Sequence, residues 1–257
     1  MQTTHDILVE TNGQVRVITL NRPHRLNAWT DSMRAEVCAA FSEAECDDSI
    51  GAIVITGSGE RAFCSGQDFN EVHDHDAQTA AIWMATWEKF FDVFRSASKP
   101  VVAALNGLAV GSAFQVALLC DLRIAHPGVR LGQPEINQGV VSITGPWIMR
   151  EMLGLSRTVE LVLTGRLMDC EESARLGLVH EVVSAAEVLP RALAIAEELA
   201  AKPRTAMQRN KAWLRQLTEP GFREAAAEAI RAHADVFASG EPSKHMKQFL
   251  KSDVKHA

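Results

Sequence analysis

The chain is short of several things, and each shortage removes a class of function. Its five cysteines (Cys38, Cys46, Cys64, Cys120 and Cys170) are odd in number and widely spaced, with no C-x-x-C pair. Neither a zinc site nor a disulfide framework is indicated, and a reducing, cytoplasmic setting is expected. Positive charge is scarce: 26 Lys and Arg against 32 Asp and Glu give a net charge of −6. With no basic surplus to neutralise phosphate, nucleic acid is not expected as a general partner, although a local basic pocket for a phosphorylated cofactor is still allowed. No apolar run reaches spanning length, and no basic segment followed by an apolar one opens the chain, so neither a membrane span nor a secretory signal is expected. Gly57-Ser58-Gly59 lacks the third glycine and the directly following helix of a dinucleotide fingerprint.

What is present is the composition of an ordinary globular protein, 47% hydrophobic and 23% charged over 257 residues. That length allows one large core, alone or with an appendage. The chain is organised around Val101 to Asp121. Val101–Leu105 is a short apolar run, β-branched at its start and stopped by Asn106-Gly107, which reads as a buried strand. Ser112–Leu119 carries no charge and no helix breaker, and reads as a buried helix entered through Gly111. A glycine turn opening a helix leaves unpaired backbone N–H groups, which favour an anion or a developing oxyanion. The same pattern also suits an ordinary packing unit.

On the N-terminal side, Ile7–Glu10 and Val15–Leu20 read as a hairpin around Asn12-Gly13. Thr30 or Asp31 caps a helix with apolar positions Met33, Val37, Ala40, Phe41 and Ala44. Ala52–Thr56 is another buried strand. In Arg61-Ala-Phe-Cys-Ser-Gly-Gln-Asp68, small residues let the backbone approach a ligand, and Asp68 suits a turn or N-cap. Cys64 has no activating histidine pattern nearby, which speaks against a nucleophile. His73-Asp74-His75-Asp76 reads as a solvated segment rather than a metal site, since adjacent ligands point apart. Ala77–Phe94 is helical, and its stripe of Trp83, Trp87, Phe90, Phe91 and Phe94 is either core or one wall of an acyl pocket.

Past the central stretch, Leu122–Ala125 and Val129–Leu131 are expected as short strands around His126-Pro127-Gly128. Glu135, in Gly132-Gln-Pro-Glu135, reads by itself as a surface charge. A helical pattern begins at Ile143 and stops at Thr164-Gly165-Arg166, and Gly177–Val179 returns to an extended segment. From Val188 to Ala257 the chain is helical, with Pro203, Pro220 and Pro242 each placed to start a helix.

Taken together, Asn21-Arg-Pro-x-x-Leu-Asn-Ala28, Ala62-Phe-Cys-Ser-Gly-x-Asp68, Asn106-Gly107 with Gly111, Cys120-Asp-x-Arg-Ile-Ala125, Gly132-Gln-Pro-Glu135 and Leu163-Thr-Gly-Arg166 with Ala174-Arg-Leu-Gly-Leu-Val179 resemble the crotonase (enoyl-CoA hydratase/isomerase) superfamily. They occur in order across nearly the whole chain. The resemblance implies an α/β fold: a spiral of ββα units over residues 1–200 that binds acyl-CoA, then a helical oligomerisation region over 201–257. It also implies trimers or hexamers, acyl-CoA thioesters as substrates and no metal or redox cofactor. By motif, the two backbone N–H donors of an oxyanion hole fall on Gln67 and Ser112, and Glu135 becomes a catalytic acid/base. Arg25, Ala62, Cys64, Ser65, Gly66, Asp68 and Gly111 are carried over as substrate or CoA contacts, with a solvated charge as the other reading of Arg25.

The chain departs from the family pattern at two places. Hydratases of the family use two glutamates, but the first position here is Gln115, which cannot exchange a proton near neutrality. A double-bond shift needs only one such group. The resemblance therefore implies first an isomerase taking 3-enoyl-CoA to 2-trans-enoyl-CoA through a thioester enolate. Next comes a hydratase using Glu135 and a Gln115-oriented water, then another enolate chemistry. A non-catalytic acyl-CoA-binding protein is the alternative of another class. At the C-terminus, Ser252 stands where a CoA-binding lysine is common, beside Lys251. Large apolar residues from Met207 to Phe249, among them Trp213, Leu214 and Leu217, predict burial against the core or a neighbouring subunit.

Overall fold

The computed structural model describes residues 5–253. Two strands, β1 (Ile7–Asn12) and β2 (Val15–Leu20), pair antiparallel from Ile7↔Leu20 to Asn12↔Val15. Gly13 at the turn has φ +57°, a conformation that glycine adopts without a Cβ penalty. Beyond β2 the sheet grows in parallel through β3 (Ala52–Gly57), then strands at Val101–Leu105, Leu122–Ala125 and Glu181–Val182. Every residue of Ala52–Gly57 and Val101–Leu105 is buried, as befits parallel strands covered on both faces.

A second, smaller sheet is built from β4 (Ala62–Cys64), Leu108–Val110, Arg130–Gly132 and Leu167–Asp169. Numbered along the chain, Val101–Leu105 is β5, Leu108–Val110 is β6, Leu122–Ala125 is β7, Arg130–Gly132 is β8, Leu167–Asp169 is β9 and Glu181–Val182 is β10. The helices are α1 (Asp31–Cys46), α2 (Phe69–Val72), α3 (Ala77–Ser96), α4 (Ser112–Leu119), α5 (Thr144–Thr164), α6 (Cys170–Arg175), α7 (Val188–Ala200), α8 (Arg204–Ala238) and α9 (Glu241–Asp253). The repeat is then plain. β3-β4-α3, β5-β6-α4 and β7-β8-α5 each place one strand in the large sheet and the next in the small one before a helix follows. This is the expected spiral of ββα units.

Local chemistry fixes the helix starts. Thr30 accepts a hydrogen bond from the Met33 N–H, and Asp76 with Thr79 forms a reciprocal capping box for α3. α3 buries Trp83, Trp87, Phe90, Phe91 and Phe94. α8 runs beside α3 and adds Phe222 and Phe237 to the same core, so the C-terminal helices and the spiral share one apolar cluster. α7 closes the other face of the large sheet over Val15, Val17, Val54 and Val102.

Several expectations are corrected. The stretch after Asn106-Gly107 holds a second strand, β6, before the helix; three residues are too few for periodicity to reveal. The strand expected at Val129–Leu131 is β8, and it pairs with β6 and β9 while β7 lies in the other sheet. The extended segment expected at Gly177–Val179 pairs only from Glu181. Pro220 does not start a helix but lies inside α8. Before it, Arg215 and Glu219 pair with Asp92 and Arg95 of α3, and after it Phe222 is buried in the core, contacts that offset a proline cost of ~3 kcal/mol. Within α5, Gly154 at φ 71° and ψ 167° breaks the helical path. Ala257 and the side chain of Ser252 lie outside the described residues.

Candidate active site

Two glycine turns lie side by side at the same end of β4 and β6, which are neighbouring parallel strands of the small sheet. Gly66, at the end of β4, has φ +89°, and Gly111, before α4, has φ +62°. A Cβ on Gly66 would lie 3.1 Å from the Val110 carbonyl oxygen and 3.9 Å from the Ser112 nitrogen, so the turns are in near contact. The first turn is held by Trp29. Its N–H donates to the Gly66 carbonyl at 2.8 Å, and its own carbonyl accepts from the Asp68 N–H at 2.9 Å. Between those two bonds the Gln67 N–H is left over. At the second turn, Ser112 is the first residue of α4, where helix geometry leaves its N–H without an internal acceptor. Among the described residues, neither the Gln67 nor the Ser112 N–H has an acceptor.

Glu135 comes from the short 3-10 turn Glu135–Gln138 that follows β8. Its Oε1 lies 3.1 Å from where a Gly111 Cβ would be, so a side chain there would press on the carboxylate, and the positive φ favours glycine as well. Gln133 donates to the same oxygen, and Gln115 Nε2 approaches it at 3.4 Å. The two amides are held in turn: Gln133 Nε2 also donates to Ser142 Oγ at 2.9 Å, and Thr144 Oγ1 donates to Gln115 Oε1 at 3.3 Å. Although the residue is partly exposed, its Oε2 is buried with no partner among the described residues. Burial pushes the carboxyl up to about 7, against the smaller opposing effects of a backbone hydrogen bond and Gln115.

These groups open onto one cavity of about 110 Å³, lined by both turns, Gln115, Glu135, Thr144 and, on the far elements, Trp83, Met84, Trp87, Phe91, His233 and Met246. Its polar groups are few and its walls mostly apolar, the usual make-up of a small-molecule site.

Of the residues singled out in the sequence, Ser65, Gly66, Gln67, Gly111, Ser112, Gln115 and Glu135 are brought together on this cavity. Ala62, Cys64 and Asp68 sit behind its wall. The Ala62 carbonyl accepts from Asn27 and Asn106. Cys64 is fully buried, and burial pushes its thiol far up, the reverse of an activated nucleophile. Asp68 receives Arg22 Nη2 at 3.0 Å and caps α2 through the Asn70 N–H. Arg25 is exposed, and its side chain makes no hydrogen bond or ion pair among the described residues. In the His73–Asp76 stretch, Asp76 caps α3, Asp74 pairs with Lys247 and His75 packs on Trp83. No group of three metal-ligating side chains occurs among the described residues. Sequence reasoning missed Gln133, Ser142, Thr144 and His233. Only Gln133 lay within a motif already quoted.

Comparison with known proteins agrees with this geometry. A family model described as Enoyl-CoA hydratase/isomerase matches residues 10–254. A probable enoyl-CoA hydratase of Rhizobium meliloti is 35% identical over 256 residues, covering 97% of this chain and 98% of the relative. A probable enoyl-CoA hydratase of Mycobacterium bovis, echA8, is 36% identical over 252 residues, covering 96% of each. The crystal structure of an enoyl-CoA hydratase/isomerase from Mycobacterium paratuberculosis superposes with a TM-score of 0.88 at 27% identity, covering 96% of this chain and 100% of that one. No helix among the described residues is long and apolar enough to cross a membrane. Matched in sequence and fold over nearly its whole length, the chain belongs to the enoyl-CoA hydratase/isomerase family of the crotonase superfamily, and it is an enzyme of that family.

Proposed function

We propose that the chain is an enoyl-CoA isomerase that moves a double bond from the 3- to the 2-position through a thioester enolate, with Glu135 as the sole proton shuttle. The observation that carries this reading is that Glu135 is the one carboxylate among the described residues lining the cavity. The thioester oxygen sits between the Gln67 and Ser112 N–H groups. As Glu135 takes the proton from C2, the electron pair delocalises onto that oxygen, and the two donors stabilise the charge. The 3-ene becomes a dienolate, and Glu135 returns the proton at C4, leaving the 2-trans double bond. A carboxyl with a pKa near neutrality suits both halves of this exchange. Gln115 orients the carboxylate and takes no proton.

The names of the relatives favour a second reading, hydration of 2-enoyl-CoA. There a water held by the Gln115 amide adds at C3, and Glu135 takes its proton and delivers one to C2. A panel of 3-enoyl-, 2-enoyl- and 3-hydroxyacyl-CoA thioesters separates the two. The isomerase reading expects conversion of the 3-enoyl substrate to dominate; a larger kcat/KM for water addition to the 2-enoyl substrate would overturn it. The assembly proposed with it is a trimer or hexamer. Trp213, Leu214 and Leu217 are 58%, 62% and 59% exposed on α8, a patch that a neighbouring subunit would cover. Light scattering showing a monomer at micromolar concentration would sink that part.

A further inference from the structure

Both amides that reach Glu135 pack against a residue that has no side chain. Gly145 is the second residue of α5, buried and in helical backbone. A Cβ there would lie 2.7 Å from Gln133 Nε2 and 2.8 Å from Gln115 Nε2. Real Cβ atoms do not pack so closely, so a methyl group would push both amides away. The atoms it would meet belong to the ends of two flexible side chains, with Gln133 Cδ at 2.8 Å as the third. Those ends can move aside, so the damage would fall on the hydrogen bonds to Glu135 more than on the fold. Pro146 gives glycine one reason to stand at 145, because a Cβ before proline strains helical backbone. The amides give a second.

Gln115 comes from α4 and Gln133 follows β8, yet both converge on one carboxylate oxygen, Glu135 Oε1. Both are also tied to the residues that open α5, Gln115 to Thr144 and Gln133 to Ser142. Donors to the carboxylate favour its charged form against the burial that opposes it. No charged neighbour takes their place. Ser112–Leu119 of α4 and the first turn of α5 carry no charge. His233 of α8 lines the cavity but is kept neutral by burial, and α9 sets Glu241 and His245 against Gly139, beyond the turn that carries Glu135.

We propose that Gly145 is a positioning residue for Glu135: its missing side chain leaves the space in which the Gln115 and Gln133 amides converge on the carboxylate. This rests on Glu135 as the proton shuttle and adds what holds it in place. The test follows exchange of the α-protons of a saturated acyl-CoA with deuterated water as a function of pH. In the wild type, exchange should rise through about 7. In Gly145→Ala the rise should move up by about one pH unit, the worth of a hydrogen bond to an ionised group, and the plateau should fall about tenfold. Gln133→Met removes one donor without touching position 145 and should move the rise in the same direction. In a Gln133→Ala background, Gly145→Ala should move the rise by less than it does alone, whereas an effect on the fold only would leave the rise where it was. An unmoved rise in folded Gly145→Ala would overturn the inference. So would an unmoved rise in Gln133→Met, a result that does not depend on the alanine variant folding. Absence of the rise in the wild type would instead sink the role of Glu135, and this inference with it.

Discussion

Arg123 and Glu135 are both ionisable side chains taken out of water, and the fold treats them in opposite ways. Arg123, on β7, is 4% exposed and forms no ion pair with a carboxylate among the described residues. Its Nε donates to the Leu178 carbonyl at 2.6 Å, and its Nη1 donates to the Cys120 and Ala117 carbonyls at 2.6 and 3.0 Å. It thereby ties the end of α4 to the segment before β10, and its charge is absorbed by fixed dipoles. Glu135 keeps one oxygen with no partner, and burial holds its proton on to about neutral pH. A fully satisfied buried charge is a fastening. A half-satisfied one is poised to react.

The sharpest test of this contrast is Glu135→Gln. Exchange of the α-proton with deuterated water and turnover should fall about 10²–10⁴-fold. Acyl-CoA binding should stay nearly intact, because the oxyanion donors are backbone groups. Unchanged exchange by mass spectrometry would move the reactive group elsewhere. The opposite pattern is expected of Arg123→Leu, which strands several buried carbonyls. It should cost about 3–5 kcal/mol in chemical denaturation, while the kcat of the molecules that remain folded changes little. If both variants lose stability alike, the distinction between the two sites collapses.

A smaller effect concerns pH. Turnover that needs Glu135 ionised should rise with pH through about 7. The stability contribution has the other sign. A carboxyl whose pKa is raised by folding contributes fully below the ordinary carboxylate range and loses that contribution as pH rises through about 7. Glu135→Gln should therefore become relatively more stable than wild type at alkaline pH, by thermal melts across the range. The smallest effect expected is that of Gln115→Glu. It supplies a second carboxylate, so hydration of a 2-enoyl-CoA should rise severalfold relative to isomerisation. Repulsion from Glu135 limits the gain. A fall in hydration would make Gln115 itself a water-orienting group.

Much of this was legible in the sequence because local chemistry decided it. The hairpin at Asn12-Gly13, the Thr30 cap, and the buried runs at Ala52 and Val101 all formed where their residues favoured them. Both glycine turns were legible for the same reason, since Gly66 and Gly111 each take a positive φ; the donor role proposed for Gln67 came only with the family motif. What was hidden depends on packing between distant segments. β6 is too short to show a period, and Pro220 stays in a helix because ion pairs to α3 hold the turn before it and Phe222, packed on Trp147 of α5, holds the turn after it. Thr144 and Ser142 matter only once the start of α5 is brought against Gln115 and Gln133. His233 lies 98 residues past Glu135 and reaches the cavity only because α8 returns along α3. Read alone, Glu135 looked like a surface charge; its meaning came from the family motif around it.

The carbonyl oxygen of Ala62 is claimed twice, by Asn27 Nδ2 at 2.9 Å and by Asn106 Nδ2 at 3.2 Å. The two amides come from loops far apart in the chain, and each also holds a second carbonyl, Ser58 for Asn27 and Gly59 for Asn106. Together they pin the strand that leads into the Gly66 turn by a duplicated latch. Losing either amide leaves the other on Ala62 but strands the second carbonyl that the lost one held. Losing both frees the strand, and the combined damage exceeds the sum of the two.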